Sequence, residues 1–144
     1  MGTVKELPHT ADVGFELRAG GLEELFELGA EGLAAARGAP PDPSAEAEVA
    51  EVELERPDLE RLLVAWLREL LHRSTQRNEV ASADVLRVRR SGRDGRDDAR
   101  LVARVTWRPA APDGPEREIK GVTYHGLAVE READGWHARV VLDV

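Results

Sequence analysis

The sequence predicts an α+β fold: a two-layer domain in which two amphipathic helices pack on a mixed or antiparallel sheet. Three observations lead there. Apolar residues alternate with polar ones from Val13 to Ala19 and again from Ala50 to Leu54, the period of a half-buried strand. Each run is followed by an apolar stripe at helical spacing. Beyond Val80 only extended patterns remain. Two helices can cover one face of the sheet that these strands make. The chain's 144 residues are the length of one domain, 1–144, with no linker long enough to divide it.

The elements follow in order. Val13, Phe15, Leu17 and Ala19 form one strand face, and Gly20-Gly21 breaks it. Leu22, Leu25, Phe26, Gly29, Leu33 and Ala36 then repeat as a helix, with Glu23 and Glu24 complementing the positive end of its dipole. Gly38 ends that helix, and residues 39–44 are a Pro-rich loop. Glu51, Glu53 and Glu55 give the second strand an acidic outer face. Pro57 is expected to open the second helix. Its stripe of Leu59, Leu62, Leu63, Trp66, Leu67, Leu70 and Leu71 is core. Val80 to Val88 reads as a bulged strand and residues 91–96 as a turn. Leu101, Ala103, Val105 and Trp107 share one face of the next strand. Ile119–Tyr124 and Leu127–Glu132 are two short extended runs, and Asp134-Gly135 is a hairpin signal before a last strand that reaches the end.

Composition excludes several classes of function. No cysteine is present, which removes disulfides, thiolate metal sites and cysteine nucleophiles and suits a cytoplasmic protein. No run is apolar enough to span a membrane, and the N-terminus lacks a signal-peptide pattern. A net charge of −8 and 4% aromatic residues argue against direct nucleic-acid binding, which needs cations and stacking faces. An acidic domain fits a protein partner or a cation better.

The common catalytic signatures are missing. There is no phosphate-binding Gly-Lys-Ser/Thr loop, no Gly-x-Gly-x-x-Gly and no Gly-x-Ser-x-Gly elbow. The four histidines make no helical metal-binding pair, and His72 sits late in the second helix as a surface or capping residue. Two places carry chemistry. Asp12 precedes the first patterned strand, and Asp143 stands one residue before the free carboxylate of Val144. Each aspartate alone reads as a turn or solvated edge residue. If the two strands are neighbours, hard oxygen ligands converge and favour calcium or magnesium over zinc. The other place is Glu118–Gly126, which holds Lys120, Thr123, Tyr124 and His125 together with the glycines Gly121 and Gly126. It reads either as a lysine-protected edge strand or as a patch for a partner or a nucleotide phosphate.

Three segments together resemble the archease family. His9-Thr10-Ala11-Asp12-Val13-Gly14 followed by Leu22-Glu23-Glu24-Leu25-Phe26 resembles its N-terminal motif. Leu62 to Leu71 resembles its second helix. Glu118 to Leu127, with the terminal Val140-Val141-Leu142-Asp143-Val144, resembles its C-terminal half. The resemblance runs the length of the chain, with Gly121 standing where many members have alanine and no matching motif between Val80 and Pro115. It implies a non-catalytic accessory protein of the RtcB-type RNA ligase, promoting ligase guanylylation and multiple turnover in tRNA splicing and RNA repair. It also implies a divalent cation on Asp12, Asp143 and Val144, the last through its main-chain carboxylate, and it puts the family lysine at Lys120. His9, Lys120, Tyr124 and His125 are the expected activation patch. Two other readings of the same residues are a chaperone-like binding module and a hydrolase that activates water on a metal between Asp12 and Asp143.

Overall fold

The computed structural model describes residues 2–7, 12–93, 96–114 and 116–144. Among them are seven strands and two helices: β1 (Thr3–Leu7), β2 (Asp12–Ala19), α1 (Leu22–Arg37), β3 (Glu48–Arg56), α2 (Leu59–Arg77), β4 (Glu79–Arg93), β5 (Arg96–Pro109), β6 (Gly121–Glu132) and β7 (Gly135–Asp143). The α+β class is as expected. The strands form two sheets, a four-stranded one in the order β1-β2-β7-β6 and a three-stranded one in the order β3-β5-β4. Every named pair is antiparallel. Helix α1 packs on β2 and β4 while α2 packs on β3 and β6, so both helices touch both sheets.

Local chemistry sets the helix ends. Gly38 takes the left-handed conformation and donates its N–H to the Ala34 carbonyl, closing α1. Helix α2 begins two residues later than Pro57 suggests, at Leu59. Asp58 is its N-cap and accepts the Arg61 N–H at 2.7 Å, leaving Pro57 outside the first turn. Asn78, left-handed with φ 52, ends it. Both helices bury their apolar stripes. Trp66 is fully buried, and its Nε1–H donates to the Phe26 carbonyl at 2.9 Å, tying α2 to α1.

Three extended regions differ from the expectation. Strand β1 gives almost no periodic signal in five residues; it forms because β2 offers it a free edge. The stretch 91–96 is not a wide turn, since the β4–β5 ladder continues to the pair Arg93↔Arg96. The two runs around Gly126 are one strand, β6, broken by a bulge: Thr123 pairs with Val141 and Ala128 with Arg139, so four residues of β6 stand opposite one of β7. The anticipated bulge in β4 lies between Val85 and Arg87. There α1 caps the strand's outer edge, as Glu27 accepts the Val85 N–H at 3.0 Å. No helix among the described residues is long and apolar enough to cross a membrane.

Candidate functional site

The site starts from the register of β2 against β7. Val13, Phe15, Leu17 and Ala19 stand opposite Leu142, Val140, Ala138 and Trp136. This row faces the helices, and most of it is fully buried. Period-two alternation then sends the intervening residues to the outer face. Asp12 is the Cα partner of Asp143 in this ladder, at one corner of the outer face. Directly opposed residues keep their Cβ atoms about 5 Å apart, so the two carboxyl groups share one corner of the sheet. Asp12 is half-buried and Asp143 is exposed.

On the other side of β7, Asp143 pairs with Gly121. A Cβ built on Gly121 would meet nothing within 4 Å, so the place beside Asp143 is open. The Lys120 N–H donates to the Asp143 carbonyl at 2.7 Å, which joins the 116–120 segment to the end of β7. The Val144 side chain is partly buried against the core, so the last residue is seated beside Asp143. Among the described residues no cluster of three or more His, Asp or Glu side chains is arranged to hold a metal. The side-chain donors of this corner are the two carboxylates of Asp12 and Asp143.

The other expected residues divide. His9 lies outside the described residues. Tyr124 and His125 lie in the β6 bulge, away from the regular ladder. Gly126, at φ 70, supplies the left-handed turn the bulge needs and lies on Val141. Arg68 of α2 braces the bulge from below. Its Nε and Nη2 donate to the Val122 carbonyl at 3.2 and 2.9 Å, and its guanidinium lies 5.0 Å from the centre of the half-exposed Tyr124 ring. The Thr123 hydroxyl accepts the His125 N–H at 2.9 Å. Lys120 faces α2, lining an open groove with His72 and Thr75.

Two polar features escaped the sequence reading. Arg37, buried at the end of α1, donates to Ser74 Oγ at 2.6 Å, the Glu79 carbonyl at 2.8 Å and Asn78 Oδ1, and pairs with Glu116 at 3.1 Å. It fixes the α2–β4 junction and the start of the 116–120 segment. Its only sequence signal is a cation in the last turn of a helix. The second feature is the pair Glu16–His137, 2.8 Å apart on the same outer face as the aspartates. The hydrogen bond from His137 holds the Glu16 carboxyl below its ordinary value, with partial desolvation opposing and Arg18 assisting. The strand phase could have found this pair, given the register.

The comparisons with known proteins bear on this arrangement. The model of the Archease protein family (MTH1598/TM1083) matches residues 5–144. The chain belongs to the archease family. A Methanosarcina acetivorans protein archease is 37% identical over 142 residues, covering 96% of this chain and 93% of the relative. A Thermococcus gammatolerans protein archease is 33% identical, covering 94% of each. The solution structure of Methanobacterium thermoautotrophicum protein 1598 superposes with a TM-score of 0.75 at 28% identity, covering 98% of both chains. A Thermotoga maritima crystal structure, described as an archease and possible chaperone, gives 0.65 at 25% identity, covering 97% of this chain and 96% of that one. The archease match spans Asp12, Lys120, Asp143 and Val144 alike.

Proposed function

We propose that this chain activates an RtcB-type RNA ligase in the cytoplasm, promoting ligase guanylylation and multiple turnover in tRNA splicing and RNA repair. In this reading a divalent cation, calcium or magnesium, is held by Asp12, Asp143 and the Val144 carboxylate. The observation that carries it is the opposition of Asp12 and Asp143 across β2 and β7 in a member of the archease family.

The residues fit such an ion. Two like charges directly opposed on a sheet repel each other, and a cation between them removes that cost. All the donors are hard oxygens. They are fewer than the six to eight oxygens that calcium takes, which leaves positions for water or for groups of a partner. The open place at Gly121 gives access from the β6 side. When bound, the cation supplies positive charge and Lewis acidity to a phosphate or carboxylate oxygen.

The chain's own residues divide the work. Asp12 and Asp143 ligate through their side chains, and Val144 ligates through its main chain while its side chain anchors the end of β7. Lys120 offers an ammonium with no hydrogen bond or ion pair among the described residues. Tyr124 and His125, raised on the bulge, form the contact surface, with His9 from the neighbouring motif. A net charge of −8 complements a basic RNA-binding ligase, raising the encounter rate and orienting it.

The test combines the cognate ligase, GTP, a divalent metal and broken RNA, and counts ligations per ligase. Addition of the chain raises guanylylation and turnover. Appending residues after Val144 converts its carboxylate to an amide and weakens metal binding. Unchanged ligase turnover in the presence of the chain refutes the reading. The description of the Thermotoga maritima relative as a possible chaperone favours a second reading, a chaperone-like protein-binding module. Suppression of aggregation in unrelated clients, without any effect on the ligase, would select it.

A further inference from the structure

We propose that the groove between the C-terminal half of α2 and residues 116–122 is a binding site for a phosphate group, with Lys120 and His72 as its principal donors. Two adjoining depressions make up the groove. One, of about 630 Å³, is lined by Arg37, Thr75, Glu116, Arg117, Glu118, Ile119 and Lys120. The other, of about 410 Å³, is lined by Arg68, Leu71, His72, Thr75 and residues 119–122. Thr75, Ile119 and Lys120 belong to both, so the depressions meet at Lys120. Each volume suits a small polar ligand. The apolar cavity below Arg37, at about 20 Å³, holds no more than a water.

The charge of the groove runs against that of the chain. Four permanent cations, Arg37, Arg68, Arg117 and Lys120, face two carboxylates, Glu116 and Glu118, in a molecule of net charge −8. Glu116 is already committed to Arg37 at 3.1 Å. Arg117 lies 3.9 Å from Glu6, and Arg68 gives two of its donors to Val122. Lys120 and His72 are different: neither side chain has a hydrogen bond or ion pair among the described residues. Two uncommitted donors from different elements thus face one polar groove.

The structure around them is fixed. The Lys120 N–H is bound to Asp143, the Arg117 N–H donates to the Arg37 carbonyl at 2.7 Å, and Ile119 is buried in the core. The segment that presents Lys120 is therefore set against α2 before any ligand arrives, which lowers the ordering cost of binding. A tetrahedral phosphate suits a point-charge ammonium and an imidazole N–H better than a planar carboxylate, which is matched by the arginine fork. The phosphate could come from a nucleotide or from an RNA end; the chemistry is shared.

Amide chemical-shift titrations of the full chain, run without metal or ligase, test this separately from the activation reading. The probes are inorganic pyrophosphate, GTP, and a short RNA with and without a terminal phosphate. Saturable shifts at Thr75, Lys120 and Gly121 are expected with pyrophosphate. The source of the phosphate is then read from whether GTP or the phosphorylated RNA binds more tightly. The double variant Lys120→Gln with His72→Gln should weaken pyrophosphate binding at least about tenfold, the loss of two charge-assisted hydrogen bonds. Arg89→Gln on the three-stranded sheet should leave it unchanged. Absence of saturable shifts at millimolar pyrophosphate overturns the proposal. So does equal binding by the double variant, or an equal loss in Arg89→Gln, which would mark non-specific screening.

Discussion

In the four-stranded sheet the chain's last strand lies between β2 and β6, whereas the three-stranded sheet is made wholly from residues 48–109. Their outer faces are charged in different ways. On the three-stranded sheet the β3–β5 pairs that carry two charges are of unlike sign, although across β4 Arg89 stands opposite Arg100. Glu51 stands opposite Arg104 and Glu55 opposite Arg100, with ion pairs of 4.0 and 3.3 Å and every partner at least half exposed. That is a solvated ladder, favourable by a few tenths of a kcal/mol per pair. The four-stranded sheet keeps to the same rule at Glu16↔Arg139 and breaks it at its corner, where Asp12 opposes Asp143. The corner sets two carboxylates side by side in the ladder, and in an archease it is the place to look for a ligand. The seating of β7 makes the mismatch precise in space, because a central strand does not fray as a terminal segment does.

The largest effect that would break this contrast is on activation. Asp12→Ala and Asp143→Ala should each reduce ligase turnover more than about tenfold, the scale of losing a metal ligand or its support. Glu53→Ala, on the solvated ladder, should leave turnover unchanged. Lys120→Ala should lower activation while metal affinity, read by calorimetry, stays at the wild-type value. If Glu53→Ala were as damaging as Asp143→Ala, the two faces would not differ in function.

Next in size is a change in how β7 enters its sheet. Gly135 has φ 148, and a Cβ there would lie 2.2 Å from the Ala19 carbonyl oxygen. Gly135→Ala should therefore cost about 1–3 kcal/mol, read as a lower midpoint in urea unfolding. A neutral result would mean that the β6–β7 hairpin can shift without disturbing β2.

Much of the fold was legible because both helices carry long apolar stripes and the strands on either side alternate. Asp12 and Asp143 were legible as candidates, but their pairing was not. Register between elements so far apart in sequence is fixed by which rows reach the core, and no local pattern reports it. Strand β1 was missed because five residues with two apolar positions carry too little period. The β6 bulge looked like a break between two strands, since Gly126 ends the alternation and only the neighbouring β7 restores it. Asp58 displaced Pro57 as the start of α2 because a side-chain cap satisfies a helix N–H, which proline at the first position cannot do.

Charge mismatch also predicts a smaller effect, of opposite sign in the two sheets. Asp143→Asn, without metal, should stabilise the chain by a few tenths of a kcal/mol, because it removes a like-charge opposition. Glu55→Gln should destabilise it by about the same amount, because it removes half of a favourable pair. Thermal unfolding in chelator resolves the two signs. Destabilisation by both variants would show that the Asp12–Asp143 corner is an ordinary part of the charge ladder.

The smallest prediction concerns Glu16 and His137, which share the outer face with the aspartates. The hydrogen bond from His137 lowers the Glu16 pKa from its ordinary 4.5. A carboxyl whose pKa is depressed by folding stabilises the native state above its unfolded value, and the contribution fades as pH falls through the folded value. Glu16→Gln keeps the size of the side chain and removes its titration. The wild type should thus exceed the variant in urea midpoint near about pH 7, and the gap should shrink below about pH 4.5 as Glu16 protonates. The Asp42 carboxyl, lowered by its hydrogen bonds from Ser44, titrates in both proteins and cancels from the difference. A gap that stays constant down to about pH 3 would show that the contact with His137 is not linked to folding.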